Sequence, residues 1–325
     1  MKDILGEEYK GDSKFVAECR KLQSIYRHEI GEAIEPYHGR DGQVHYYGNY
    51  ISNGENPKEN CWKNFLTEYA FNYAKERVNP DNKKPYETIE PDRLFNNLLS
   101  SQPMAFNLFC PLRQMREESP EVATQVIKAA LPDYPIHRVT DVDLEFIPEK
   151  YTELTGDKSA MDAIIEFVDT DGQSGFIAIE TKYSENLGTN VAYDRDENGK
   201  KIPRVKTIEA VKKLQCFKPD IEKLIVEGKK GLTQIYRNFL LSEMYGFERL
   251  QSYSIILAPQ RHPSTDKELK TLHDELLEEY QRKIKKIDLE DFVNKIISVS
   301  PEAYKDVFER FYDRYLNLEK LKHYG

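Results

Sequence analysis

The stretch over residues 161–185, MDAIIEFVDTDGQSGFIAIETKYSE, narrows the folds open to this chain more than any other part of it. Residues 161–168 are rich in Ile, Phe and Val, and residues 175–183 read GFIAIETKY. Asp169, Thr170, Asp171, Gly172, Gln173 and Ser174 between them are turn formers, so the stretch predicts a β-hairpin. Centring the turn on Gly172 sets Asp169 against Gly175, Asp162 against Lys182 and Ile164 against Glu180. Side chains alternate faces with period two. Asp162, Glu180 and Lys182 are therefore expected on one face at one end of the hairpin. Ala163, Ile165, Phe167, Ile177 and Ile179 form a packing surface on the other. A slip of one residue would send Asp162 to the face opposite Glu180.

Two carboxylates beside apolar strands are expensive to desolvate without compensation. A divalent cation compensates them, and Mg²⁺ prefers one or two carboxylates with water and substrate phosphate. The carbonyl of Thr181 offers a further oxygen, and Lys182 is placed to orient or help deprotonate a water. Metal-assisted hydrolysis of a phosphodiester uses these parts. A carboxylate two residues before a lysine also occurs at Glu8/Lys10, Asp12/Lys14, Asp81/Lys83, Glu227/Lys229 and Glu268/Lys270. Each of those reads as a solvated pair worth little. Only Glu180/Lys182 ends an apolar strand with another apolar strand opening on an Asp just upstream.

Asp162 followed by Glu180-Thr181-Lys182 at the end of a hydrophobic strand resembles the PD-(D/E)XK motif of the restriction-endonuclease-like nuclease superfamily. Met161 stands where that motif usually has Pro. The words Ser101-Gln102, Phe106-Asn107-Leu108-Phe109, Glu180-Thr181-Lys182-Tyr183-Ser184-Glu185 and Gln234-Ile235-Tyr236-Arg237-Asn238 look like a bacterial branch of it, over roughly residues 90–260. The resemblance implies an α/β fold, a restriction-endonuclease-like α/β/α sandwich around a mixed central sheet. It implies a Mg²⁺- or Mn²⁺-dependent nuclease, favouring DNA over RNA, in restriction, repair or defence. Asp162, Glu180 and Thr181 would hold the metal, and Lys182 would activate water. Gln234 and Arg237, one turn apart on a predicted helix, would hold the scissile phosphate or position Lys182. An upstream acid often joins such a site. Glu145 is the candidate, with Glu117, Glu118 and Glu121 as rivals. A homodimer stays open.

Two other readings stay beside this one. The fold can persist as a silent module that binds nucleic acid or protein. Alternatively, Asp162–Lys182 is a structural salt bridge, and the protein acts through its tyrosine-rich segment 37–50.

The chain has 325 residues, 39% hydrophobic and 32% charged, which suffices for a core in one large or two small domains. Neither a signal peptide nor a membrane span is expected. Four scattered cysteines read as reduced thiols of a cytoplasmic protein, and scattered histidines argue against zinc. The net charge of −9 argues against a protein that coats DNA. It leaves room for a local basic groove, and residues 200–230 carry ten Lys/Arg against four Asp/Glu.

Three regions are expected: an N-terminal helical extension with a Tyr/Gly-rich loop (1–90), the nuclease-like core (91–260) and a C-terminal helical segment packed on it (261–325). Predicted helices cover 14–34, 60–78, 91–109 with a break near Pro103, 120–131, 205–217, 219–226, 232–245 and 301–322. Residues 79–85 are a polar loop. Strands are expected at 136–147, in the hairpin and at 252–258. Tyrosines near Arg40 and His45 can stack bases, although half-buried packing is commoner for such residues. The polar segment 186–203 follows the site strand and is placed to fold over a substrate.

Overall fold

A five-stranded mixed sheet is the centre of the protein in a computed structural model that describes residues 2–39, 42–51, 59–79, 81, 89–191, 193–202, 204–247 and 251–324. The strands are β1 (Arg138–Phe146), β2 (Met161–Val168), β3 (Ser174–Thr181), β4 (Gln251–Ala258) and β5 (Ile284–Asp288), adjacent in that order. β1, β2 and β3 pair antiparallel, whereas β3–β4 and β4–β5 are parallel. Parallel neighbours require crossovers, and helices fill both of them. The longer helices are α1 (Lys14–Glu29), α2 (Glu68–Val78), α3 (Ser101–Glu118), α4 (Pro120–Ala130), α5 (Val205–Leu214), α6 (Gln234–Gly246), α7 (Thr265–Glu275), α8 (Leu289–Val299) and α9 (Glu302–Tyr315).

The sheet is buried on both faces. Ala163, Ile165, Phe167, Ile177 and Ile179, the predicted packing surface, join one core with residues of α1 to α4, α8 and α9. Ile164, Phe176 and Ala178 on the other face meet Leu241 of α6, and α5, α6 and α7 share a second core with Ile256, Ala258 and Ile284. This is an α/β/α sandwich. No described helix is long and apolar enough to cross a membrane.

The hairpin register differs from the expected one by two residues. Val168 pairs with Ser174, Ile164 with Ala178 and Ala163 with Ile179, so Asp162 lies level with Glu180 and not with Lys182. The turn is tighter than the sequence suggests. Gly172 N–H donates to the Asp169 carbonyl at 3.1 Å, and Gly172 takes φ 79°. The Asp169 carboxylate accepts from the N–H groups of Asp171 and Gln173, both at 2.9 Å. This is the three-residue hairpin loop with a left-handed third position that glycine favours. A shift of two keeps every side chain on its predicted face.

Other differences have local causes. The predicted helix over 60–78 is a 3-10 turn (Glu59–Asn64) followed by α2, whose start is fixed by Thr67 accepting from Ala70 N–H at 3.0 Å. The predicted helix over 91–109 is interrupted at residues 97–100, between a short helix, Pro91–Asn96, and α3; Pro103 itself lies in the first turn of α3, where its missing N–H removes no helical bond. The last predicted helix ends at Tyr315 and passes into a 3-10 turn, Leu318–His323. β5, IKKID, was expected to be helical. Its two lysines suit the edge strand it forms. Arg40 and Asp41 of the tyrosine-rich segment, residues 52–58 after it, and residues 80 and 82–85 of the predicted loop lie outside the described residues.

A buried polar network ties the terminal helices to the sheet. Arg314 of α9 donates to the Asn64 carbonyl (2.8 Å), Asn64 Oδ1 (2.6 Å) and Gln23 Oε1 (3.2 Å). Gln23 of α1 donates to the hydroxyl of Tyr183, two residues past the end of β3, at 3.0 Å. Asn107 of α3 accepts from Leu66 N–H and donates to the Tyr315 hydroxyl. Removing one member of such a network strands the others without partners. Arg314→Ala is therefore expected to lower unfolding stability by about 3 kcal/mol. Both proteins are expected to unfold in one transition, with coincident near- and far-ultraviolet dichroism. Separate melting of a terminal segment would contradict the shared core.

Candidate active site

Three neighbouring strands bring one acid each to the same level. Leu144 pairs with Ala163 and Phe146 with Met161, which sets Glu145 of β1 beside Asp162 of β2. The β2–β3 ladder ends at Ala163 and Ile179, which leaves Asp162 level with Glu180 on its other side. Beyond that last pair the backbone of Thr181 has no β2 carbonyl opposite. The Asp162 carboxylate takes its place, accepting from Thr181 N–H at 2.6 Å and from its hydroxyl at 2.8 Å. Thr181 thus anchors Asp162, and its carbonyl lies past the end of the β2–β3 ladder.

Glu180 is held from three directions. Lys182 Nζ lies 2.6 Å from Oε1. Gln234 Nε2 donates to Oε1 at 2.9 Å, and Asn238 Nδ2 donates to Oε2 at 2.7 Å. Gln234 and Asn238 stand one turn apart at the start of α6, and the four-residue spacing aims both at the same carboxylate. Lys182 pairs with Glu180 rather than forming the Asp162–Lys182 bridge of the structural alternative.

Glu145 is buried and adopts φ 49°, a left-handed backbone rare outside glycine. Such an outlier costs on the order of 1–3 kcal/mol, and these outliers concentrate at functional sites. Gln102 in the first turn of α3 donates to its Oε1 at 2.8 Å, and Arg77 Nη2 donates to its carbonyl at 3.0 Å. The rivals are engaged elsewhere. Glu117 accepts from Tyr69 and pairs with Arg113, Glu118 accepts from Gln114 and Tyr304, and Glu121 is exposed on α4.

The electrostatics follow from crowding. Burial pushes the Asp162 carboxyl well above its ordinary range, and Glu180 and Glu145 push it further, against Lys182. Burial also raises Glu145, Glu180 adds to that, and the Gln102 hydrogen bond and Arg77 oppose it. Burial alone would lower the Lys182 ammonium, but Glu180 and Asp162 outweigh it, and the net shift is upward. Lys182 is the cation against Glu180, while Arg77 and Arg93 act on Glu145. Among the described residues no three acid, histidine or cysteine side chains converge as a ready cage. The donors that do fit a divalent cation are two carboxylates level across one ladder, with a backbone carbonyl near them. This is the sparse set that Mg²⁺ accepts while keeping its waters. A small cavity of about 30 Å³ beside Glu180 is lined by Met161, Leu187, Asn238 and Ser254.

Arg237 does not join this cluster. Its Nε lies 2.8 Å from Asp157, and its Nη1 donates to the Asn190 carbonyl at 2.7 Å. Asn238, one residue later, takes the position beside Gln234 that the sequence reading gave to Arg237. Glu185 was also unassigned. It accepts from Ser101 N–H at 2.9 Å and pairs with Arg93 at 3.3 Å. Asn238, Gln102 and Glu185 all stand in the sequence words already singled out, but their roles needed the helix phase and the strand ends. Within the tyrosine-rich segment Tyr37 stacks on Tyr50 with centroids 4.4 Å apart and His45 on Tyr47 at 5.0 Å, and Tyr47 also meets Tyr9 edge-on and the Arg20 guanidinium.

A family model described as the PD-(D/E)XK nuclease superfamily matches residues 10–317. Searches of curated proteins and of solved structures gave no match.

The raised carboxyl of Asp162 makes a stability prediction. An unfolded Asp titrates near pKa about 4. Above that pH the unfolded chain has lost a proton that folded Asp162 still binds, so stability falls as pH rises through the raised value. Asp162→Asn keeps an acceptor for Thr181 and does not ionise. In EDTA the variant and the parent are expected to unfold alike near pH 4. At pH 8 the variant is expected to be the more stable of the two. Denaturant titrations at the two pH values check this, and equal stability at pH 8 would contradict it.

Proposed function

The chain belongs to the PD-(D/E)XK nuclease superfamily, and on that premise we propose that it is a metal-dependent nuclease that hydrolyses phosphodiester bonds, with DNA favoured over RNA. The observation that carries the reading is the row Glu145–Asp162–Glu180 across three strands, with Lys182 against Glu180. Asp162 and Glu180 would hold Mg²⁺ or Mn²⁺, with the Thr181 carbonyl beside them and Glu145 as the additional acid. When bound, the cation supplies charge for the phosphate oxygens and lowers the pKa of water.

The chain's own residues do the rest. Thr181 fixes the rotamer of Asp162 through two hydrogen bonds. Gln234 and Asn238 fix Glu180, so the donor atoms are set before substrate arrives. Lys182, held as an ammonium by Glu180 and Asp162, is placed to orient the attacking water. Sharing those carboxylates with a cation weakens their hold and makes the lysine a better proton acceptor. Arg237 acts on the backbone after the site strand rather than on phosphate. The buried, unpaired cysteines agree with a reducing compartment such as the bacterial cytoplasm.

The silent-module reading draws support from Glu180, which already has three partners. One experiment separates the two. Purified protein is incubated with linear DNA, circular DNA and RNA, with and without Mn²⁺, while calorimetry follows Mn²⁺ binding. Cleavage is expected with Mn²⁺ only, and Asp162→Asn, Glu180→Gln and Lys182→Ala are each expected to slow it by about 100-fold or more while staying folded. Saturable Mn²⁺ binding that depends on Asp162 and Glu180 is expected beside it. Undiminished cleavage by Asp162→Asn would remove the assignment, and absence of both binding and cleavage would favour the silent module.

A further inference from the structure

A small hairpin, Asp194–Arg195 paired with Lys201–Ile202, groups an aromatic ring with two cations. Arg195 faces Lys201, and Asp194 faces Ile202. Alternation puts Tyr193, Arg195 and Lys201 on one face. The Tyr193 side chain is 37% exposed, with the Arg195 guanidinium 5.4 Å and the Lys201 ammonium 4.1 Å from its ring centroid. Among the described residues neither cation is drawn into an ion pair; both hydrogen-bond Tyr193, and Arg195 also donates to the Gly199 carbonyl at 2.6 Å. Residues 193–202 carry three Lys/Arg against three Asp/Glu, so the positive charge beside the ring is local to Arg195 and Lys201.

The hairpin is pinned to the candidate site at its base. Gln234, which donates to Glu180, also accepts from Gly188 N–H at 2.7 Å, and its own N–H donates to the Gly188 carbonyl at 3.0 Å. Asp157 is buried between Arg237 Nε (2.8 Å) and Arg204 Nη1 (3.3 Å), and Arg237 holds the Asn190 carbonyl. Both ends of segment 188–204 are thereby fixed. Tyr193 lies within a reach of about 17 Å of Gly188 along the chain.

We propose that this hairpin contacts single-stranded DNA flanking the scissile bond, with Tyr193 stacking a base and Arg195 and Lys201 taking adjacent phosphates. An exposed ring between cations matches an unpaired base, whose π-face is free, better than a duplex, whose bases are already stacked. The two cations beside the ring match the adjacent phosphates of a backbone. The proposal rests on the nuclease reading for the choice of substrate, but its test needs no cleavage.

Fluorescence anisotropy in EDTA would follow a labelled oligothymidylate of about 20 nucleotides, long enough for such a site, with a duplex and an oligouridylate of equal length in parallel. Tyr193→Ala is expected to weaken oligothymidylate binding about 5- to 100-fold, and Tyr193→Phe to leave it within about twofold. Arg195→Ala and Lys201→Ala are each expected to reduce the salt dependence of log K by about one. Parent protein that does not bind oligothymidylate, or a Tyr193→Ala variant that binds it as tightly as the parent, overturns the proposal. An equal loss on duplex overturns the stacking role, and tighter binding of oligouridylate overturns the choice of DNA. The nuclease reading fails separately, if the parent binds oligothymidylate but cleaves nothing with Mn²⁺.

Discussion

Crowding of carboxylates where β2 and β3 part company is the interaction on which the rest depends. Glu145, Asp162 and Glu180 stand side by side with Lys182 as their near counter-charge. In water three carboxylates would repel weakly. In a partly desolvated strand end the repulsion is several times stronger, and it appears as raised carboxyl pKa values at Asp162 and Glu145. A chain that needed only stability would replace them with apolar residues. On the proposed reading, a cation would share that charge.

Such a cluster persists only if its surroundings over-determine it. Strand β3 is held on one side by α6 through Gln234 and Asn238, and beyond its end Tyr183 is tied to α1 through Gln23. Arg314 of α9 closes that network against Asn64, and Asn107 of α3 bonds both Leu66 and Tyr315. Helices from both termini therefore buttress the backbone that carries Glu180 and Lys182. This fits the extent of the family match, which runs from residue 10 to residue 317 and takes in the flanking helices.

Much of this was legible in the sequence because it depends on period and parity. Alternation alone placed Ala163, Ile165, Phe167, Ile177 and Ile179 in the core and set Asp162, Glu180 and Lys182 apart from them. Register was harder. It depended on how tightly Asp169 closes the turn, which is a side-chain matter, and the error of two residues did no harm because two is the period of a strand. β5 was hidden because an edge strand with two lysines has the polarity of a helix face. The partners of Glu180 were half visible. The helix and Gln234 were foreseen, but i+3 and i+4 are both neighbours on a helix, and only the packing of α6 on the sheet chooses Asn238 over Arg237.

That choice divides the labour along one helix. Gln234 faces two ways, its amide nitrogen toward Glu180 and its carbonyl toward Gly188. A Cβ at Gly188 would stand 3.1 Å from that carbonyl oxygen, tighter than side chains usually pack, so glycine permits the approach that lets Gln234 bridge. Arg237, one turn later, bonds the Asn190 carbonyl and Asp157. The same short segment of α6 thus orients an acid in the site and fixes the path of the chain that leaves it. A displacement of α6 would disturb both together, which couples the geometry of Glu180 to the position of the 194–202 hairpin through covalent structure and hydrogen bonds alone.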